Sequence, residues 1–380
     1  MSTFLKTTDI AVDGATTLPG RYFTSPELFA EEREKIFARR WLCVGREEQL
    51  SAPGDYAVHE VCGESIIMVR DGSGAVHAHY NVCRHRGSRL CEEGAGHFTS
   101  GIHCPYHAWT YALDGRLLGA PSTSELEGFR NADYPLHSVP LARWGGFLFI
   151  NLSSDPEPFE RAWEPLLQRF ARFNLPRLVT ARTIEYDVRA NWKLLFQNYS
   201  ECYHCGSVHP TLSRVTPPTS GENDLVEGPF TGGFMVMNDG YDSLTMSGRT
   251  CGVIVGNLPP EDLRRVYYYA ILPNMLLSLH PDYVMFHTLW PEAPDRTRVV
   301  CSWLFHPDTL SDERFDPADG VDFWDRTNRE DWHICERSQL GVSSRAYQPG
   351  PYSRRESLPA QFDREVLRAL GHDTSGRCLP

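Results

Sequence analysis

The chain has 380 residues, enough to bury one large core or two, and its 41% hydrophobic and 23% charged content is that of an ordinary globular protein. A formal net charge of −12 disfavours nucleic acid and anionic membrane surfaces as partners, because both require clustered Lys and Arg. No run of about 18 apolar residues is available to span a membrane, and the start MSTFLKTTDIAVDG lacks the basic-then-apolar pattern of a signal peptide. A cytoplasmic location is expected, with the 11 cysteines read as reduced thiols and metal ligands.

Residues 25–45 carry Leu28, Phe29, Ile36, Phe37 and Trp41 at helical spacing, with Ser25 placed as N-cap and Pro26 at the first helical position. From Tyr56 to about Asn151, short β-like runs such as SIIMVR and GGFLFINL alternate with Gly and Asp, which predicts a small all-β module. Inside it lie Cys83-Arg84-His85 and Cys104-Pro105-Tyr106-His107. Each loop mixes a thiolate with an imidazole. Structural zinc sites mostly pair like with like, as C-x2-4-C and H-x3-5-H. Two cysteines on one iron and two histidines on the other make a Rieske [2Fe–2S] centre, a one-electron carrier. Cys83, His85, Cys104 and His107 are therefore its candidate ligands, while His97, His103 and Cys91 fall off the pattern.

Pro156 and Pro158 mark a boundary, after which 159–173 reads as helix and 180–192 as strand. The segment 193–205 reads as a helix and leads into Glu201, His204 and His209. On an ideal helix His204 and His209 stand about 140° apart, so they converge on one ion only if the helix ends or widens between them. Gly206 and Pro210 supply a reason for that break. Two histidines with a distant carboxylate would form the 2-His-1-carboxylate triad of non-haem Fe(II) oxygenases, which leaves positions open for O2. The runs VYYYAILPNMLLSLHP, YVMFHTLW and RTRVVCSWLFHP predict an antiparallel sheet. Residues 319–341 predict a long helix ending at Gly341, which offers Asp325, Glu330, Asp331 and Glu336 as the carboxylate. Asp331 shares a largely uncharged stripe with Trp324, Asn328 and Cys335. Cys202 and Cys205 form a C-x2-C that is read as packing rather than chemistry, since neither a second pair nor a βαβ context accompanies it.

The stretches N-V-C-R-H-R-G (81–87), C-P-Y-H-A-W (104–109) and E-C-Y-H-x4-H (201–209) together resemble the α subunit of a Rieske non-haem iron oxygenase. The resemblance implies an α+β chain: an all-β Rieske domain at 46–155, and a helix-grip catalytic domain with an antiparallel sheet at 156–380. Residues 1–45 would add an N-terminal helical part to the catalytic domain. It also implies a mononuclear Fe(II) on His204, His209 and Asp331, electrons from NAD(P)H through a separate flavin/iron–sulfur reductase, and a homotrimer. Glu201 matches the carboxylate that bridges one subunit's cluster to its neighbour's iron. Most ring-hydroxylating members carry Asp there; Glu resembles the branch that acts on quaternary ammonium compounds such as glycine betaine, carnitine and proline betaine. Oxidative N-demethylation with loss of formaldehyde is the activity this implies. Hydroxylation or O-demethylation of an aromatic substrate, and a Rieske electron carrier with no oxygenase activity, are the alternatives. A quaternary ammonium site would use aromatic faces, and Tyr267, Tyr268, Tyr269, Tyr283, Phe286 and Trp290 are available on the catalytic strands.

Overall fold

The computed structural model describes residues 3–10, 14–226, 228–372 and 374, so parts of the N-terminal stretch read for targeting lie outside the described residues. The chain divides into two units, Ala38–Pro156 and Met1–Phe37 with Glu157–Pro380. No helix among the described residues is long and apolar enough to cross a membrane.

Ala38–Pro156 is all-β. Three antiparallel sheets are formed by Leu141–Trp144, Phe147–Ile150 and Leu42–Arg46, by Val76–Tyr80, Glu64–Arg70, Asp55–Val61 and Ala95–His97, and by Ile102–His103, Thr110–Tyr111 and Leu117–Gly119. Ile67, Val69, Ile102, Trp109 and Tyr111 pack with Cys83 and Cys104 in one buried cluster, so the core of this unit closes directly beneath the ligand loops.

The other unit is built on an eight-stranded antiparallel sheet. Its order is Phe4–Lys6, Glu222–Asp224, Phe230–Val236, Arg265–Ile271, Met275–Leu279, Val284–Ala293, Arg296–Phe305 and Val179–Val188. The long helix Ala318–Val342 lies on this sheet. It is held by Trp324 Nε1 donating to Tyr283 Oη (2.7 Å), by Tyr186 Oη donating to Asp325 Oδ1 (2.8 Å), and by Asn328 against His287 (3.3 Å). Mixed helix and antiparallel sheet are what the sequence leads one to expect.

Three local expectations change. The helix that starts at Pro26 does have Ser25 as its cap, with Ser25 Oγ accepting from Leu28 N at 3.1 Å, but it runs only to Glu32 and widens into a π-turn over Arg33–Phe37. Leu42–Arg46 is a strand; its buried apolar run suits either period, and pairing with Phe147–Ile150 decides it. The stretch 159–173 breaks into the short pieces Phe159–Ala162, Glu164–Leu167 and Ala171–Phe173, with Pro165 removing a ladder donor. A further change, at 193–205, shapes the site.

That helix spans only Trp192–Tyr199. Asn191 caps its start, accepting from Lys193 N at 3.1 Å. At its end Ser200 Oγ donates to Phe196 O (2.6 Å), a side-chain bond that competes with the helical ladder. Within the helix, Lys193 Nζ is fully buried and pairs with Glu32 Oε1 at 2.5 Å, while Trp192 Nε1 donates to Glu32 Oε2 at 2.8 Å. This fully satisfied pair ties the helix before the metal loop to the N-terminal helix.

Candidate functional site

In Ala38–Pro156 the four Rieske candidates sit on two loops of the same construction. The amide of Cys83 donates to Ser88 O (2.9 Å) and that of Gly87 to Cys83 O (3.0 Å). Likewise the amide of Cys104 donates to Trp109 O (2.8 Å) and that of Ala108 to Cys104 O (3.1 Å). Each loop turns through a left-handed residue at its fifth position, Gly87 at φ 73° and Ala108 at φ 57°. The cysteine thus opens each loop and the histidine rides on its crest. Both thiols are buried, His85 is exposed and His107 half-buried. The two imidazoles meet edge to face with centroids 4.6 Å apart, and His85 stacks on Trp109 at 4.9 Å. Tyr111 Oη reaches Cys83 Sγ at 3.3 Å and accepts from Arg84 N at 3.0 Å. A cluster-bound Cys83 thiolate has no proton to give, so Tyr111 Oη would be the donor of this pair.

The four donors do not converge on one point. Among the described residues, the one set of three or more metal-ligating atoms lying within 4.8 Å of one another is His204, His209 and Asp331. A single tetrahedral zinc needs convergence, whereas a cluster with separate thiolate and imidazole irons does not. Burial pushes the Cys83 thiol up, so a bound cationic cluster, rather than the apo environment, is what would hold it as thiolate. His107 Nδ1 is buried with no hydrogen-bond partner, an atom that ligation would satisfy. The residues fit the cluster. His97 is exposed and pairs with Asp55 (3.0 Å), His103 contacts Ser100 and Thr110, and Cys91 is buried.

The second set is assembled from a loop and the long helix. His204 Nε2 lies 3.1 Å from His209 Nε2 and 3.2 Å from Asp331 Oδ1, and His209 Nε2 lies 2.8 Å from the same oxygen. The outward nitrogens are both engaged. His204 Nδ1 donates to Glu201 Oε1 at 2.5 Å, and His209 Nδ1 donates to Glu330 Oε2 at 2.7 Å. Protonation at Nδ1 leaves the Nε2 lone pairs aimed inward, the tautomer a metal ligand needs. Burial lowers the basicity of His204, but bonds to Asp331 and Glu201 outweigh it and lift its pKa to about 10. Burial alone would raise Asp331; hydrogen bonds from both histidines bring it down to about 2. Two imidazoles and one carboxylate oxygen facing a common centre fit a divalent iron with open positions.

Glu201 and His204 are not neighbours on a helix face. They lie in the loop after Tyr199, where Glu201 Oε2 accepts from the amides of Tyr203 and His204 (the latter at 3.3 Å). The carboxylate builds the turn that carries the histidine. Cys202 and Cys205, expected as packing thiols, are joined as a disulfide within this loop. Of the four acids weighed on the long helix, Asp331 reaches the centre, Glu330 reaches the back of His209, Asp325 binds Tyr186 and Arg329, and Glu336 accepts from Arg189 N. Glu330 as an outer partner has no signature in spacing, since 121 residues separate it from His209. Tyr111 was likewise missed; its only signal is a strand position seven residues after Cys104.

A cleft of about 110 Å³, partly open to solvent, is lined by His204, His209 and Asp331 together with Tyr199, Tyr268 and Trp324. Of the six aromatics singled out in the sequence, only Tyr268 lines it. Tyr267 and Tyr269 point to the other face of their strand and donate to Asp262 (2.6 Å) and Asp224 (2.7 Å), and Tyr283 donates to Leu244 O (2.6 Å). Phe286 and Trp290 are buried elsewhere in the sheet.

Two family models match the chain: the Rieske [2Fe-2S] domain over residues 40–130, and the ring hydroxylating alpha subunit (catalytic domain) over 175–372. The glycine betaine monooxygenase oxygenase subunit of Chromohalobacter salexigens is 33% identical over 377 residues, covering 90% of this chain and 82% of that protein. The carnitine monooxygenase oxygenase subunit of Acinetobacter baumannii is 38% identical over 200 residues, or 52% of this chain and 54% of that one. A solved quaternary ammonium Rieske monooxygenase, described in terms of carnitine oxidation and inter-subunit electron transfer, superposes with a TM-score of 0.81 at 26% identity, covering 96% of this chain and 98% of its own. The chain belongs to the Rieske ring-hydroxylating oxygenase α subunits, enzymes that carry a [2Fe–2S] cluster and a mononuclear iron.

Proposed function

We propose that the protein is the oxygenase component of a cytoplasmic monooxygenase that N-demethylates a betaine-like quaternary ammonium substrate. The observation that carries this reading is the cleft, in which the His204–His209–Asp331 centre lies beside the aromatic rings of Tyr268 and Trp324. An onium group has no hydrogen to donate, and such faces are what recognises it. The names of the glycine betaine and carnitine relatives support the same substrate class.

When bound, the [2Fe–2S] cluster carries single electrons and the ferrous iron activates O2. Cys83 and Cys104 would hold the buried iron of the cluster, and His85 and His107 the outer one, accessible to the solvent side. His204, His209 and Asp331 would hold the mononuclear iron. Glu201 fixes the His204 tautomer and Glu330 that of His209. Matching the family's bridging carboxylate, Glu201 is also the candidate link to a neighbouring subunit's cluster in a homotrimer. Tyr268 and Trp324 would press the methylated nitrogen towards the centre. The net reaction consumes O2, two electrons and two protons, places one oxygen atom on an N-methyl carbon and releases water. The resulting N-hydroxymethyl group expels formaldehyde and a proton, leaving the tertiary amine. The electrons come from NAD(P)H through a separate reductase. Residues 46–155 are assigned as the Rieske domain, with the flanking segments as the catalytic domain.

The test is a substrate panel with purified protein, a surrogate reductase and NADH. Formaldehyde should form in step with NADH on glycine betaine, carnitine or a related betaine. Turnover confined to aromatic acids would overturn the proposal, as would an absence of substrate-dependent NADH use.

A further inference from the structure

Resting on the quaternary ammonium reading, we infer that the Tyr268 hydroxyl donates a hydrogen bond to a carboxylate of the substrate, so that the cleft selects zwitterionic betaines over cations that lack an acid. Strand alternation separates Tyr268 from its neighbours: Tyr267 and Tyr269 bury their hydroxyls on Asp262 and Asp224, while Tyr268 faces the cleft. The rest of the aromatic wall has already committed its polar atoms. Tyr199 Oη shares a hydrogen bond with Ser278 Oγ (2.8 Å), and Trp324 Nε1 donates to Tyr283 Oη (2.7 Å). The Tyr268 ring packs edge-on against both Tyr199 and Trp324 with centroids 6.1 Å apart, yet its hydroxyl is buried with no hydrogen-bond partner.

Buried hydroxyls are rarely left unpaired, and one that lines a ligand cleft points to a ligand atom as the missing partner. Burial also pushes the phenol's pKa well up, so the group remains a donor. The best complement to a buried donor is a charged acceptor. The cleft also carries one cation: Arg355 is the one Lys or Arg side chain lining it among the described residues. Of the three carboxylates that line it, Glu201 and Asp331 are engaged by His204 and His209, which leaves Glu222. A ligand bearing both a quaternary nitrogen and a carboxylate would use the aromatic faces for the first and Tyr268 Oη for the second. Tyr268 is thus a specificity-determining residue for the proposed reaction.

The experiment compares wild type and Tyr268→Phe as the metal-loaded protein, titrated by calorimetry with glycine betaine and with tetramethylammonium, which has no oxygen. The phenyl ring keeps the aromatic face and removes only the donor. Glycine betaine should bind the variant roughly tenfold more weakly, the loss of one hydrogen bond to a charged group, while tetramethylammonium binding stays unchanged and reports an intact cleft. In turnover, KM for glycine betaine should rise by the same factor with kcat little altered. Equal betaine affinity in the two proteins would overturn the assignment while leaving the quaternary ammonium reading intact. Parallel loss of both ligands would also overturn it, as damage to the cleft. If wild type binds neither ligand, the underlying substrate reading fails and takes this inference with it.

Discussion

The two candidate metal-ligating regions of this chain reach their geometry by opposite routes. At the Rieske loops every ligand lies within three residues of its loop partner, and each loop is shaped by its own backbone hydrogen bonds and one left-handed residue. At the second centre Asp331 lies 122 residues beyond His209, and the ligands meet only because the long helix seats on the sheet and the loop after Tyr199 folds back on it. The first site depends on local backbone geometry above one core; the second is as secure as the tertiary packing behind it. Substitutions in the catalytic unit should therefore perturb the second centre while leaving the first intact.

The largest expected effect comes from removing a ligand. His204→Ala should lower substrate turnover by more than about a hundredfold, since losing an outer partner alone costs 10–100-fold at metal sites. The cluster's visible spectrum should be unaltered; concurrent loss of that spectrum would break the contrast between the regions.

Next is the buried ion pair behind the loop. Lys193→Met leaves Glu32 buried without its countercharge and should destabilise the protein by about 3–5 kcal/mol, read as a fall in the denaturant midpoint followed by tryptophan fluorescence. The transition monitored by cluster absorbance should move less. Equal shifts in both signals would show that the two regions unfold together.

Glu330→Gln keeps the shape of the side chain but weakens its hold on His209 Nδ1. Iron affinity at the second centre should fall by about tenfold, measured by competition with a chelator. An unchanged affinity would remove Glu330 from the centre's support.

The smallest effect is expected at Tyr111, which addresses the Cys83 sulfur. Tyr111→Phe removes a hydrogen bond that favours the more negative, reduced cluster, so the midpoint potential should drop by about 60 mV, the one-electron equivalent of a tenfold change. The shift should be seen in a redox titration with turnover chemistry otherwise intact. An upward shift would contradict the donor role of the hydroxyl.

What the sequence made legible follows the same division. Cys83, His85, Cys104 and His107 could be read directly because their loops are local. His204 and His209 were visible as residues, but the helix they were drawn on stops at Tyr199, and a carboxylate-built turn replaces it. Spacing left Asp331 as one of four acids; the family pattern singled it out, and the folded helix brings its oxygen within 2.8 Å of His209. Glu330 stands beside Asp331 in sequence but about 100° around the helix, so its part depends on where His209 lands. The aromatic candidates show the same limit. Three consecutive tyrosines, Tyr267 to Tyr269, carry no mark of which one faces the cleft, because aromatic residues occupy both faces of their strand.

The central claim is that this chain holds two separate metal centres, a cluster on the paired loops and a single iron on His204, His209 and Asp331. Iron analysis combined with EPR of the dithionite-reduced protein tests it most directly, comparing wild type with Asp331→Ala. Wild type should carry about three irons per chain and the variant about two, with the same reduced-cluster signal in both. Two irons in each, with no change in substrate oxidation, would contradict the account and make the chain an electron carrier alone.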